Sequence, residues 1–286
     1  MEVTFVGLGF DATLMLPILE RNIPARYLAV SSETIDLEAY QVDKISFRMH
    51  PSVEAAALRI LPKIKKRTKE AEIVFLLSKV TGKKQEDIIC NIAEGLDNKP
   101  IINIVWYPKK KHGQRGIFDS LERLGKNSSV IAIPQIGSTK LPELVSEYVK
   151  QILLLYQLPY AYAQADTGKR TLSRGGLLHL AQEEIDIEYL SHDAEMLPWS
   201  ISCIGHNKSL DTLLKYGHCA LVHLTVPKGA DPAIVQYIIE YIHSHLGEEG
   251  ELNFSITVIT EPRDSVGIDL LVTETVTAKE AESWSW

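Results

Sequence analysis

Apolar segments alternate with helix-forming segments through the first 140 residues, and this alternation constrains the fold more than any other feature of the chain. The stretches 3–7, 73–77 and 101–106 are apolar and rich in β-branched residues, and segments of helical periodicity separate them. Parallel strands buried on both faces have this composition and need helical crossovers between them. The pattern therefore predicts an α/β fold with a doubly wound, mostly parallel sheet.

The same features predict how the chain is divided. We expect a Rossmann-like domain over 1–139, a long central helix over 140–158, a connecting loop region over 159–190, a smaller α+β domain over 191–276 and a flexible tail over 277–286. In the α+β domain the segments 253–259 and 267–273 alternate in polarity, which predicts strands paired with each other. The tail carries Trp284 and Trp286, which are either a docking anchor for a partner or incidental residues.

Composition narrows the class of protein. The chain has 286 residues, of which 45% are hydrophobic and 23% are charged, as in ordinary globular proteins. A net charge of −7 disfavours nucleic acid as a partner. The cysteines Cys90, Cys203 and Cys219 show no paired spacing, which predicts a reduced, cytoplasmic compartment. No apolar run is long enough to cross a bilayer, so we expect no direct membrane insertion.

A glycine-rich turn follows the first predicted strand. Gly7, Gly9 and Ala12 match the pattern G-x-G-x-x-A, in which glycines let a phosphate approach the amino end of a helix. Phe10 and Asp11 add bulk and negative charge where the phosphate would lie. Two interpretations stay open: a phosphate-binding turn, and a compact strand-to-helix turn that needs glycine without any ligand.

Two basic loops are weaker candidates. Lysines in the segment 78–84 precede a predicted helix and form either an anion site or a solvated turn, and the spacing of a P-loop is absent. A second basic cluster, 109–112 with Arg115, follows Pro108 at the carboxyl end of a strand, where ligands of α/β sheets often bind, and its default interpretation is an exposed charged loop. The nine histidines show no metal-ligand spacing, so we expect no metal site. The sequence also has no G-x-S-x-G motif, the turn that carries the nucleophilic serine in α/β-hydrolases.

The order of these segments resembles the tubulin/FtsZ superfamily over nearly the whole chain. The opening VTFVGLGFDATLM resembles the family's first strand, glycine-rich loop and helix. HPSVEAAALRILPKIKKRTKEAEIVFLL, IINIVWYPKKKHGQRGIFDSLERL and SSVIAIPQ resemble further family segments in the same order, and ALVHLTVPKGADPAIVQYIIEYIHSHL resembles the start of its C-terminal domain. The resemblance implies the two-domain fold joined by a central helix, with GTP or GDP and Mg²⁺ as the ligands.

The resemblance also shows where this chain departs from the family. The phosphate-cradling GGGTGTG is replaced by the segment 78–84, in which only Thr81 and Gly82 match. The catalytic N-x-D-x-x-D resembles the segment 164–169, which keeps Asp166 as the candidate catalytic acid and has Lys169 in place of the second acid. The nucleotide-binding candidates are Gly7, Gly9, Phe10, Asp11, Thr81, Gly82, Lys83, Pro108, Arg115, Gln135 and Glu147.

Three hypotheses follow. The first is a divergent FtsZ-like scaffold or filament protein of cell division or shape, with a degenerate nucleotide site and weak or no GTP hydrolysis, that binds itself, another FtsZ-like protein or a division protein. The second is a GTP-dependent filament former with a rewired, lysine-assisted site. The third is an NAD(P)-binding Rossmann-type enzyme, in which Glu33 would bind the ribose. The departures from the family motifs favour the first hypothesis and disfavour enzyme activity, and any activity would be that of a GTPase.

Overall fold

The computed structural model describes residues 1–33, 37–47, 52–80, 83–96, 100–108, 121, 123–125, 128–135, 141–157, 176–187, 214–215, 217–246 and 250–274. The described residues fall into two compact units. The first contains those of 1–150 with 176–177, and the second contains those of 151–157 and 178–274.

The first unit alternates strands and helices, as the sequence predicts. Its strands are β1 (Val3–Leu8), β2 (Arg26–Ser31), β3 (Val42–Ser46), β4 (Ile73–Lys79), β5 (Ile101–Pro108) and β6 (Ser129–Gln135). Its helices are α1 (Phe10–Glu20), α2 (Val53–Arg67), α3 (Lys83–Gly95) and the first part of α4 (Leu141–Gln157). The six strands pair in parallel in the order β3-β2-β1-β4-β5-β6, which confirms the predicted α/β class.

Helices cover both faces of this sheet. Successive residues of a strand point to opposite faces, and a Cβ added at Gly7 would lie 3.0 Å from the carbonyl oxygen of Ala12, so this face packs against α1. Val6 and Val74 belong instead to a buried cluster with Ile60 of α2 and Ile92 of α3. The sheet is therefore doubly wound.

The second unit is a mixed sheet with a helix. Its strands are β7 (Gly176–Asp186), which belongs to this unit from Leu178 onward, β8 (Gly217–Pro227), β9 (Glu251–Ile259) and β10 (Ser265–Glu274), in the order β7-β10-β8-β9. The helix α5 (Pro232–His245) is capped at its amino end by Asp231, whose Oδ1 accepts a hydrogen bond of 2.9 Å from the backbone N–H of Ala233. Ile234, Ile238 and Ile242 of α5 are buried in one cluster with β8 and β10.

Three expectations about secondary structure are corrected. The sequence does not predict β3, because three of the five residues of VDKIS are polar, and four of the five are at least partly exposed in the structure. β7 lies inside the segment 159–190, which the sequence predicts as a connecting loop region. The strand is hard to recognise from the sequence because its second half, QEEID, is polar. β9 and β10 do not pair with each other, since both flank β8, antiparallel for β10 and parallel for β9.

The predicted limits of the domains remain predictions. The long helix is present as Leu141–Gln157, close to the expected 140–158. The boundary between the two compact units falls between residues 150 and 151 of this helix. The tail, with Trp284 and Trp286, lies outside the described residues.

Candidate functional site

The carboxyl ends of four parallel strands lie side by side at one edge of the first unit's sheet. Leu8 at the end of β1 is in register with Ser78 of β4, and Pro108 at the end of β5 is in register with Gln135 at the end of β6. The chain passes from β1 to β2 and β3 on one side and returns to β4 on the other. The crevice between β1 and β4 is therefore the topological switch point, where open α/β sheets bind ligands.

The turn between β1 and α1 requires glycine for geometric reasons. Gly9 has φ 88° and ψ 177°, a conformation that residues with a side chain rarely adopt. Its N–H donates to the carbonyl of Val30 at 2.8 Å, and its carbonyl accepts from the N–H of Thr13 at 3.0 Å. At Gly7 a side chain would collide with the backbone of Ala12. Backbone geometry thus accounts for both glycines of the motif, with or without a ligand.

The first turn of α1 carries a bulky and a charged side chain at the switch point. Phe10 is 40% exposed, and Asp11 is the acidic residue of the first turn. The Asp11 carboxylate accepts a hydrogen bond of 3.2 Å from the ammonium group of Lys79, the last residue of β4. The ion pair joins the first turn of α1 to the end of β4, so the negative charge favoured at this helix end is supplied by the protein itself.

Two buried hydroxyl groups beside the crevice have no hydrogen-bond partner among the described residues. They belong to Thr13 in α1 and Ser78 in β4, which are 1% and 0% exposed. An unpaired buried hydroxyl costs roughly 1–3 kcal/mol. Sequence reasoning missed Thr13 as a feature of the site, and its signal in the sequence was a polar residue within the apolar stretch of α1 between Asp11 and Glu20.

The other predicted site residues are placed as follows. Lys83 is the first residue of α3, Pro108 and Gln135 end β5 and β6, and Glu147 is exposed on α4. Thr81, Gly82, Arg115 and Asp166 lie outside the described residues. The structure thus brings Gly9, Asp11, Pro108 and Gln135 to one edge of the sheet, together with Lys79.

Glu33 lies just past β2, and its N–H donates to the hydroxyl of Ser31 at 3.1 Å. Cys90 is buried in α3, and burial raises the pKa of its thiol to about 12. Near neutral pH this thiol is protonated and therefore a poor nucleophile.

Within the described ranges, no three His, Cys, Asp or Glu side chains cluster as metal ligands would. In the same ranges, no helix has the length and apolar character needed to cross a membrane.

The fold matches known structures although the sequence does not. No protein-family model matches the chain, and no curated protein matches it in sequence. A GTPγS-bound protofilament of CetZ2 from Haloferax volcanii superposes with a TM-score of 0.68 at 14% identity, covering 99% of this chain and 99% of that one. A GTPγS-form protofilament of TubZ from Bacillus thuringiensis serovar israelensis gives a TM-score of 0.68 at 12% identity, covering 99% and 89%.

An empty FtsZ dimer from M. jannaschii matches as well, with a TM-score of 0.62 at 16% identity over 95% of this chain and 88% of that one. The chain therefore has the tubulin/FtsZ-like fold, which confirms the resemblance drawn from the sequence. At these identities the likeness establishes the fold and no more.

Proposed function

We propose that this chain is a tubulin-like scaffold or filament protein whose nucleotide site no longer holds GTP in the manner of the superfamily. The observation that carries the proposal is the ion pair between Asp11 and Lys79 at the switch point. The resemblance adds a cytoplasmic location and a role in cell division or cell shape to the proposal.

The ion pair acts against a bound phosphate in two ways. A carboxylate in the first turn of α1 repels a phosphate at the same helix end, and two unit charges about 4 Å apart interact by about 4 kcal/mol at an effective dielectric constant near 20. The carboxylate also accepts a hydrogen bond of 3.2 Å from Lys79 at the end of β4, so this ammonium group is already engaged. Phe10, the residue before Asp11, adds an exposed bulky side chain to the same turn.

A surface of the second unit supports assembly with a second copy of the chain. β9 is an edge strand of its sheet, and its side chains Ile256 and Val258 are 42% and 61% exposed. A groove of about 580 Å³ runs between β9 and α5, lined in part by Val235, Ile239 and Phe254. Exposed apolar edge strands attract other chains, and β9 has no charged residue from 252 to 259 that would repel its own copy.

The assembly proposal is tested by pelleting the purified chain with and without GTP and Mg²⁺ and by negative-stain microscopy of the pellet. We expect the same assemblies in both conditions. Val258→Lys should raise the critical concentration at least about fivefold, which corresponds to ~1 kcal/mol. Leu58→Lys is the matched control, because Leu58 is 69% exposed on α2 in the other unit. Absence of assembly in both conditions would contradict the proposal.

Lys79 itself favours a second candidate function, that of a GTP-dependent filament former with a rewired site. Its ammonium group already lies at the crevice, and a phosphate that displaced the Asp11 carboxylate would find a cation in place. This candidate predicts assemblies that form only with GTP and Mg²⁺. The same pelleting experiment therefore separates the two functions.

A further inference from the structure

A second charged cavity lies away from the switch point, between the edge strand β3 and the carboxyl-terminal half of α2. Its volume is about 350 Å³, and β3 is separated from β1 by β2. The residues that line it are Lys44, Ile45, Ser46, Lys63, Lys66 and Arg67. Four of these six side chains are cationic, in a chain whose net charge is −7.

Carboxylates of the described residues do not neutralise all of this positive charge. Arg67 donates from Nη1 to the carboxylate of Asp43 on β3. Within the described part of the chain, neither Lys63 nor Lys66 makes an ion pair, and both are exposed on α2. Cations gathered around one cavity repel each other, and a bound anion removes that repulsion.

The dipole of α2 does not account for the cluster. Lys66 and Arg67 lie in the last turn, where cations stabilise the negative end of a helix. Lys63 precedes that turn, and Lys44 comes from a different element. The carbonyl of Ile64 already accepts a hydrogen bond of 3.0 Å from the hydroxyl of Thr68, so the helix end has its own cap.

We propose that this cavity is a binding site for a ligand with two or more adjacent phosphate groups. Lysine and arginine together provide point charges and a planar fork for phosphate oxygens. The cavity lies at the small end of ligand sites, which measure roughly 300–1,000 Å³, and none of the described residues that line it is an aromatic residue that could stack on a base. Recognition therefore concerns the phosphates, carried either by a free polyphosphate or by a phosphorylated lipid headgroup.

The first test is a calorimetric titration of the full chain with inorganic triphosphate. We expect saturable binding that weakens with added salt, and a loss of at least about tenfold in affinity, or ~1.4 kcal/mol, in the variant Lys63→Glu/Lys66→Glu. Lys150→Glu/Lys228→Glu makes the same change in charge at two exposed lysines that do not line this cavity, so it is the matched control and should bind as the wild type does. Circular dichroism and the melting temperature without ligand show whether each variant is folded.

Two further arms assign the site and the source of the phosphates. Lys79→Ala removes the cation of the switch point and should change the triphosphate affinity less than twofold. Flotation with vesicles of phosphatidylcholine containing a bisphosphorylated phosphoinositide shows whether lipid headgroups are bound, and free triphosphate should compete with them. The proposal is overturned if the wild type binds neither probe, or if Lys63→Glu/Lys66→Glu binds as the wild type does.

Discussion

At the residue scale, three polar side chains form a row across the sheet of the second unit. Asp269 on β10 is in register with His223 on β8, which is in register with Ser255 on β9. The Nδ1 atom of His223 lies 2.9 Å from the Ser255 hydroxyl, and His223 is 6% exposed. Burial lowers the pKa of His223 more than the Asp269 carboxylate and a hydrogen bond with the backbone of Ser255 raise it. The folded protein therefore holds this histidine neutral near pH 7.

This row predicts a pH dependence of stability. The pKa of His223 is lower in the folded than in the unfolded chain, so the unfolded chain binds the extra proton first. The contribution of His223 to the free energy of unfolding is therefore present above the pKa of the unfolded chain, about 6.5. This contribution declines as the pH falls below that value. Urea unfolding between pH 7.5 and 5 should show a smaller loss of stability in His223→Gln than in the wild type. His243→Gln, on the exposed side of α5, is the control, and an equal loss in all three proteins would refute the assignment.

The ion pair at the switch point makes a separate prediction about anion binding. Replacing Asp11 by Asn removes a negative charge from the amino end of α1 and leaves Lys79 without this partner. We expect Asp11→Asn to bind a fluorescent GTP analogue at least about fivefold more tightly than the wild type, a gain of ~1 kcal/mol. Fluorescence anisotropy measures it, with Asp264→Asn as a control of equal charge. Unchanged affinity in Asp11→Asn would show that this carboxylate does not oppose the phosphate.

At the scale of the elements, sequence patterns located the buried strands and the amphipathic helices and missed the peripheral strands. The strands β1, β4 and β5 are nearly fully buried, so their sequences are apolar runs that predict buried strands. β3 and the second half of β7 are short of apolar residues, and tertiary pairing rather than local preference makes them strands. The partner of a strand is likewise set by tertiary packing. The prediction from the sequence that β9 and β10 pair with each other is therefore wrong, since both pair with β8.

The close approach of β1 and α1 makes a prediction about stability. A Cβ at Gly7 would lie 3.0 Å from the Ala12 oxygen and 3.2 Å from Cδ1 of Leu16, so the helix must move to admit it. We expect Gly7→Ala to lower the free energy of unfolding by about 1–3 kcal/mol, the usual cost of overpacking. The strand glycine Gly267 is the matched control, because its nearest neighbour, Cβ of Thr225, is at an ordinary 3.4 Å. Equal effects of the two substitutions in urea unfolding would contradict this packing argument.

At the scale of the whole molecule, the order of elements was the most predictable property and the chemistry of the site the least. Sequence resemblances in the same order along the chain predicted the tubulin/FtsZ-like fold, which the matches to CetZ2, TubZ and FtsZ structures confirm. The glycines and the residues Phe10 and Asp11 were also predicted to lie at the site. The pairing of Asp11 with Lys79 was not predicted, because 68 residues separate them along the chain and only the sheet brings them together.

A calorimetric titration of the wild-type chain with GTP and Mg²⁺, with GDP and NAD as comparisons, tests the central claim most directly. If the Asp11 carboxylate repels a phosphate and engages the Lys79 ammonium group, GTP should bind with a Kd above about 1 mM. This corresponds to a binding free energy weaker than about −4 kcal/mol. NAD should bind no better, because the same carboxylate would face its pyrophosphate. A micromolar Kd for GTP would contradict the degenerate nucleotide site and support the GTP-dependent filament former with a lysine-assisted site. A micromolar Kd for NAD would instead support the hypothesis of an NAD(P)-binding Rossmann-type enzyme.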